Sequence, residues 1–191
     1  MCPSCHLARA SSAPSAGSPF EFLVKEQPPS EWSPGTGWLT GAEAGAKIEM
    51  SQVMGPGFLK TDDALEGITD VILFAAGSGI SPLRATIESG ALSDKSVKLY
   101  YGCQTPAQMS YSDKFDAWEK LGVDVTAVVS KPDGTDWKGA TGYVQDVAKA
   151  AGVADPKSTA ILLCGMKGMA EGVKELAAEC GIPEERVMAN F

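Results

Sequence analysis

The stretch that most constrains this chain is Asp70 to Pro82, D-V-I-L-F-A-A-G-S-G-I-S-P. Val71 to Ala76 are apolar without interruption. A strand with one wet face alternates apolar and polar residues, whereas a strand covered on both faces does not. A short apolar run closed by glycine therefore predicts an inner strand of a parallel sheet. Gly77 and Gly79 permit backbone geometries and close approaches that a Cβ would block. Ser81 is placed to cap the next helix, and Pro82 suits its first turn, where no backbone donor is needed. Strand, glycine turn and helix start together aim backbone N–H groups at the space above the glycines, a place that commonly holds phosphate.

The chain has 191 residues, 44% hydrophobic and 21% charged, enough to bury a core in one large domain or two small ones. Its formal net charge of -8 argues against nonspecific nucleic-acid binding, which needs a basic face. No apolar run is long enough to span a bilayer as a helix. The one histidine is His6, which leaves no Ser-His-Asp hydrolase and no histidine-rich metal site. Cys2, Cys5, Cys103, Cys164 and Cys180 are odd in number and scattered, unlike a disulfide framework. They favour a reducing compartment. Residues 2–6, C-P-S-C-H, match a haem-attachment pattern, but no export signal is expected before Cys2 and no second pair follows to complete a zinc site. The Ser/Ala/Pro-rich, acid-free start permits a plastid address, and a cytoplasmic setting fits the rest equally.

Three blocks follow one another. Residues 1–18 carry little structural signal, as a terminal segment would. Residues 19–60 read as β: Phe20 to Lys25 is rich in strand formers, Gln27 to Gly37 reads as a loop, and Ala46 to Val53 alternates with Ile48 and Met50 on one face. Residues 61–68 are the expected linker. From residue 69 strands and helices alternate. Strands are expected at 97–101, 123–129, 159–164 and 186–191 besides the first, and helices at 111–121, 144–151 and from Met169 to Cys180. That alternation predicts an α/β fold with a five-stranded, doubly wound parallel sheet over 69–191. Ligands of such sheets bind beyond the carboxyl ends of the strands.

Three turns at that edge carry candidate binding residues. G-S-G-I-S-P, residues 77–82, lacks the third glycine of the common dinucleotide fingerprint. No carboxylate ends the second strand, where Gly102-Cys103-Gln104 stand instead. No Lys-Ser/Thr pair follows, so it is not a Walker A loop. Cys164-Gly165-Met166-Lys167-Gly168-Met169 repeats the strand-glycine-helix arrangement. If the sheet order is the usual one, its strand neighbours the first, and the two glycine turns face one crevice. Gly142-Tyr143 enters a further helix. Ser130-Lys131 ends the third strand, either to bind a ribose phosphate or as a solvated strand end.

Taken together, A-A-G-S-G-I-S-P-L-R (75–84), Y-Y-G-C-Q-T (100–105), W-K-G-A-T-G-Y-V-Q (137–145), L-L-C-G-M-K-G-M-A-E (163–172) and the terminal N-F resemble the ferredoxin–NADP reductase superfamily, in particular its plant fruit-protein-like branch. F-E-F-L-V-K (20–25) and V-M-G-P-G-F (53–58) resemble later strands of that family's FAD-binding barrel, and residues 7–14 its flavin-contacting strand. Roughly three barrel strands can be read where the family has six, so the resemblance implies a shortened, partial antiparallel β-barrel over 19–60. The arginine-tyrosine-serine flavin motif of the family is absent, and Gln104 stands where an arginine is common.

The resemblance implies FAD and NADP or NAD as cofactors. Gly77, Ser78, Gly79, Ile80 and Pro82 would hold the nucleotide's diphosphate and nicotinamide. Cys164, Gly165, Met166 and Met169 would line the nicotinamide side, Gly142 and Tyr143 the groove, and Ser130 and Lys131 the far ribose. Phe191 would stand near the flavin ring, Ser11 and Ser12 beside it, and Thr36 near its phosphates. The implied activity is hydride transfer between nicotinamide C4 and flavin N5, with onward transfer to an electron-acceptor protein. The alternative is a flavin-free nucleotide-binding or regulatory module derived from such a reductase.

Overall fold

The computed structural model describes residues 21–26, 34–50, 57–59, 61 and 63–190. Its centre is a six-stranded, all-parallel sheet. The strands are β1 (Asp70–Ala76), β2 (Ser96–Cys103), β3 (Val123–Val129), β4 (Ala140–Thr141), β5 (Thr159–Cys164) and β6 (Val187–Ala189). Their order across the sheet is β4-β3-β2-β1-β5-β6. The chain winds outward from β1 to β4, then returns to the other side of β1 for β5 and β6. The reversal falls between β1 and β5, and a crevice opens at such a point beyond the strand ends.

β1 earns its central place through side chains on both faces. Val71, Leu73 and Ala75 point into one core and Ile72 and Phe74 into the other. The first core is closed by α2 (Ile80–Glu88) and α3 (Phe115–Lys120), through Ile80, Leu83, Ile87 and Trp118. The second is closed by α4 (Val144–Ala151) and α5 (Lys167–Cys180), through Val144, Ala148, Met169, Val173 and Leu176. Phe74 stacks on Tyr100 with ring centroids 5.5 Å apart. Gly181, in the left-handed conformation, ends α5.

The doubly wound sheet is as expected, with one strand more. β4 has two residues and pairs with the end of β3. A pairing that short leaves no periodicity in a sequence. The expected helix from Tyr111 begins later: Tyr111 is left-handed, residues 112–114 form a 3₁₀ turn, and the α-helix starts at Phe115. Ser81 does not cap α2. The chain enters that helix directly from a 3₁₀ turn over Gly77–Gly79, and Ser81 lies inside it.

The block before the sheet departs further. Among its described residues, Phe22 alone lies in a β-bridge and residues 46–50 form no strand. Residues 51–53 and Phe20 lie outside the described residues. Ile48 and Met50, expected on one covered face, are half exposed. A strand needs neighbours for its backbone donors and acceptors, and alternation alone supplies none. The expected loop up to Gly37 instead turns into a helix, α1 (Pro34–Thr40). Proline at its first position is the signal the loop reading passed over. Leu23, Phe58, Leu59 and Leu65 pack against the first core, so parts of this block rest on the α2/α3 side of the sheet.

Candidate functional site

Parallel pairing sets Ala75 of β1 beside Cys164 of β5, so their two following turns leave the sheet at one level. The turns interlock. A Cβ built on Gly79 would lie 2.1 Å from the Cys164 carbonyl oxygen. A Cβ on Gly165 would lie 2.9 Å from the Ala76 Cβ and 2.9 Å from the Met169 terminal methyl. Each turn is thus glycine because the other turn occupies the space a side chain would take. The two strand ends and the starts of α2 and α5 form one continuous rim.

Cys164 lies at the rim, partly exposed, with its thiol pushed up to about 11 by burial. Near neutral pH it is a protonated thiol: a small packing surface, not a nucleophile. Burial also raises the Cys103 thiol, which donates to the Thr105 carbonyl at 3.1 Å. The Ser81 hydroxyl, in the first turn of α2, is buried with no hydrogen-bond partner. A buried hydroxyl without a partner is costly and commonly marks a place completed by something bound.

The remaining candidates spread along the same edge. The Ser130 N–H donates to the Cys103 carbonyl at 3.0 Å and the Lys131 N–H to the Gln104 carbonyl at 2.8 Å. These bonds pin the loops after β2 and β3 together. The Gly142 N–H donates to the Val129 carbonyl at 3.1 Å, which brings Tyr143 to the start of α4 with 61% of its surface exposed. Met166 heads α5 at 65% exposure, whereas Met169 is buried against Gly165. Thr36 lies in the first turn of α1, away from this rim in sequence and among no acidic side chains of that turn. Ser11, Ser12 and Phe191 lie outside the described residues.

Two features escaped the sequence reading. A cavity of about 420 Å³ opens between Thr105, Pro106 and Ala107 after β2 and Thr135, Asp136 and Trp137 before β4. Trp137 is fixed there by its indole N–H, which donates to the Ala140 carbonyl at 2.9 Å. The other is a cluster around Arg84 on α2. Its pairing with Glu88 is legible as an i,i+4 pair, but its remaining partners are far away in sequence. A larger hollow, lined by Leu59, Asp63, Glu66, Asp94 and Lys95, opens before the amino ends of β1 and β2, at the opposite edge from the glycine turns. Among the described residues no group of three His, Cys, Asp or Glu could hold a metal ion. Among them no helix is long and apolar enough to cross a membrane.

Comparison with known proteins agrees with this fold. The sequence model of the oxidoreductase NAD-binding domain matches residues 73–175, from within β1 to within α5. A fruit protein of Actinidia deliciosa is 33% identical over 90% of this chain and 54% of its own length. NADH-cytochrome b5 reductase 1 of Candida glabrata is 30% identical over 90% of this chain and 60% of its own. The chain thus spans little more than half the length of these curated relatives. The crystal structure of an Amycolatopsis cytochrome P450 reductase superposes on 96% of this chain and 59% of its own with a TM-score of 0.77 at 21% identity, a likeness of fold.

Proposed function

The chain belongs to the family of oxidoreductase NAD-binding domains, and on that premise we propose that it binds a nicotinamide dinucleotide at the interlocked glycine turns and transfers a hydride between nicotinamide C4 and N5 of FAD. The observation that carries this reading is the meeting of Gly79 with the Cys164 carbonyl and of Gly165 with Ala76. Two glycine turns locked together at the switch point of a parallel sheet hold the two strand ends in one rim, and such a point beyond the strand ends is where these sheets bind dinucleotides.

The residues divide the work along the edge. Gly77 and Ser78, the accessible part of the first turn, hold the diphosphate, while Gly79, Ile80 and Pro82, all buried, fix that turn beneath one side of the nicotinamide. Cys164, Gly165 and Met166 form the other side, with buried Met169 supporting Gly165 from below. Gly142 and Tyr143 wall the groove. Ser130 and Lys131 face the far ribose, with the cavity at Trp137 beside them. On the flavin side Thr36 stands in the first turn of α1, and Ser11, Ser12 and Phe191 are proposed from the resemblance alone. FAD, when bound, supplies the two-electron redox chemistry. The chain's own part is to hold two rings at contact distance and exclude water. No proton transfer is needed at the hydride step, in keeping with a neutral Cys164 and a single histidine in the sequence. A relative named as an NADH-cytochrome b5 reductase supports a protein as the onward acceptor.

The test uses the full chain. Protein incubated with FAD and freed of excess takes up yellow flavin, and NADPH or NADH bleaches it under anaerobic conditions. A second reading is favoured by the described residues before 61, which form one helix and one bridge residue and no closed flavin barrel. In that reading the chain is a flavin-free nucleotide-binding module. Nucleotide binding by calorimetry without FAD uptake selects it, and failure to bind either ligand removes both.

A further inference from the structure

Arg84 is the one charged side chain among the described residues that is almost wholly buried, at 8% exposure. Its Nε donates to both Glu88 oxygens, at 3.0 and 3.1 Å. Its Nη2 lies 2.9 Å from Glu21 Oε2. Its guanidinium carbon stands 4.6 Å above the centre of the Tyr111 ring. Glu88 also accepts from the Trp118 indole N–H at 3.2 Å. The cation therefore ties α2 to the loop before α3 and to segment 21–26, and its partner Glu88 ties α2 to α3.

Three further observations give this cluster a purpose beyond an ordinary ion pair. Tyr111 has φ 61 and ψ 22, and among the described residues it alone is left-handed without being glycine. Such a backbone persists where its surroundings hold it, and the guanidinium stacked on its ring does so. Arg84 also stands one helical turn after Ile80, the residue that follows the glycine turn. Glu21 and Leu23, two apart in sequence, both reach the α2/α3 side: Glu21 meets Arg84 and Leu23 packs against the core.

We propose that Arg84 is a positioning residue: it seats segment 21–26 on α2 and fixes how far that segment stands from the nicotinamide crevice. The consequence for hydride transfer rests on the function proposed above, whereas the seating does not. Lysine cannot replace it, because a point charge cannot hold Glu21, Glu88 and the Tyr111 ring at once.

The test is hydrogen exchange on the full chain, with Glu21→Gln as the first variant. It leaves the Glu88 and Tyr111 contacts in place, so the protein stays folded. Amides of 21–26 should exchange about fivefold faster, while those of α2 are unchanged. Arg84→Lys should loosen 21–26 at least as much. Unchanged exchange of 21–26 in both variants overturns the seating. In flavin-loaded protein, Glu21→Gln should lower the limiting rate of flavin reduction about threefold with the nucleotide dissociation constant unaltered. An unaltered rate beside faster exchange overturns the positioning role. If wild-type protein takes up no flavin, the proposed function fails, and the exchange experiment still decides the seating.

Discussion

Two stretches of this chain have strand-forming sequences and opposite outcomes. Val71 to Ala76 is an inner strand, paired on both sides and covered on both faces. Ala46 to Met50 alternates cleanly, yet it has no strand partner in the described structure, and Ile48 and Met50 are 50% and 58% exposed. The difference shows that strand propensity is a preference for a pleated, half-buried surface and does not supply one. β1 finds its surface inside the 69–191 block, where helices from both sides close over it. The earlier block reaches a core through single residues, Leu23, Phe58 and Leu59, which pack against the first helical layer.

The comparison is broken most directly at Phe74. It is fully buried and stacked on Tyr100. Phe74→Ala should cost about 3–5 kcal/mol in denaturant unfolding. A loss below about 1 kcal/mol would mean that the sheet is not the stability centre of the molecule.

Gly79→Ala probes the same block at its functional edge. The added Cβ meets a backbone carbonyl, which cannot rotate away, so the β1 and β5 turns must separate. We expect about 1–3 kcal/mol of destabilisation. Nicotinamide-nucleotide affinity should fall further than that loss explains, because the floor of the crevice moves. Calorimetric titration of a variant still folded at the working temperature separates the two effects. Unchanged affinity would place the nucleotide elsewhere.

What the sequence revealed follows the same division. β3, α4 and β5 have the limits their apolar patterns and glycine stops predict, because their periodicity and their burial coincide. The meeting of the two glycine turns was legible only on the condition of the usual doubly wound order, which the sheet has. β4 was not, because two residues pair by proximity to β3. Ser81 has the identity of a cap and the position of an inner helical residue, because the 3₁₀ turn before it already starts the helix. Met169 falls on the expected helix face, but that face turns into the core beneath Gly165. The Arg84–Glu21 contact joins residues with no local relation, and only the fold brings them together.

A subtler test of the well-packed block is alkaline stability. Burial pushes the Cys164 thiol from 9.0 up to about 11. The folded thiol therefore holds its proton more tightly than the unfolded one. This contribution is full below pH 9.0 and is lost progressively as pH rises towards about 11. Cys103 adds in the same direction, and Tyr101, raised by burial from 10.0 to about 12, adds at higher pH. Cys164→Ala should flatten the fall in stability between pH 9 and 10 relative to wild type. An unchanged slope would show that the crevice is wetter than its packing implies.

The smallest effect is expected in the other stretch, and it bears on the comparison most sharply. Met50 is 58% exposed, and its neighbour on the alternating face, Ile48, is 50% exposed. If that face is uncovered in the isolated chain, Met50→Ala removes almost no burial, and stability should change by no more than about 0.5 kcal/mol. The same substitution at a covered position would cost about 2 kcal/mol or more. Equilibrium unfolding of the variant over a range of protein concentrations distinguishes the two. A large loss at high concentration that vanishes on dilution would show that chains cover this face for one another. A large loss at every concentration would mean that another part of the same chain covers it, and that the alternating sequence of 46–50 does form a strand in solution.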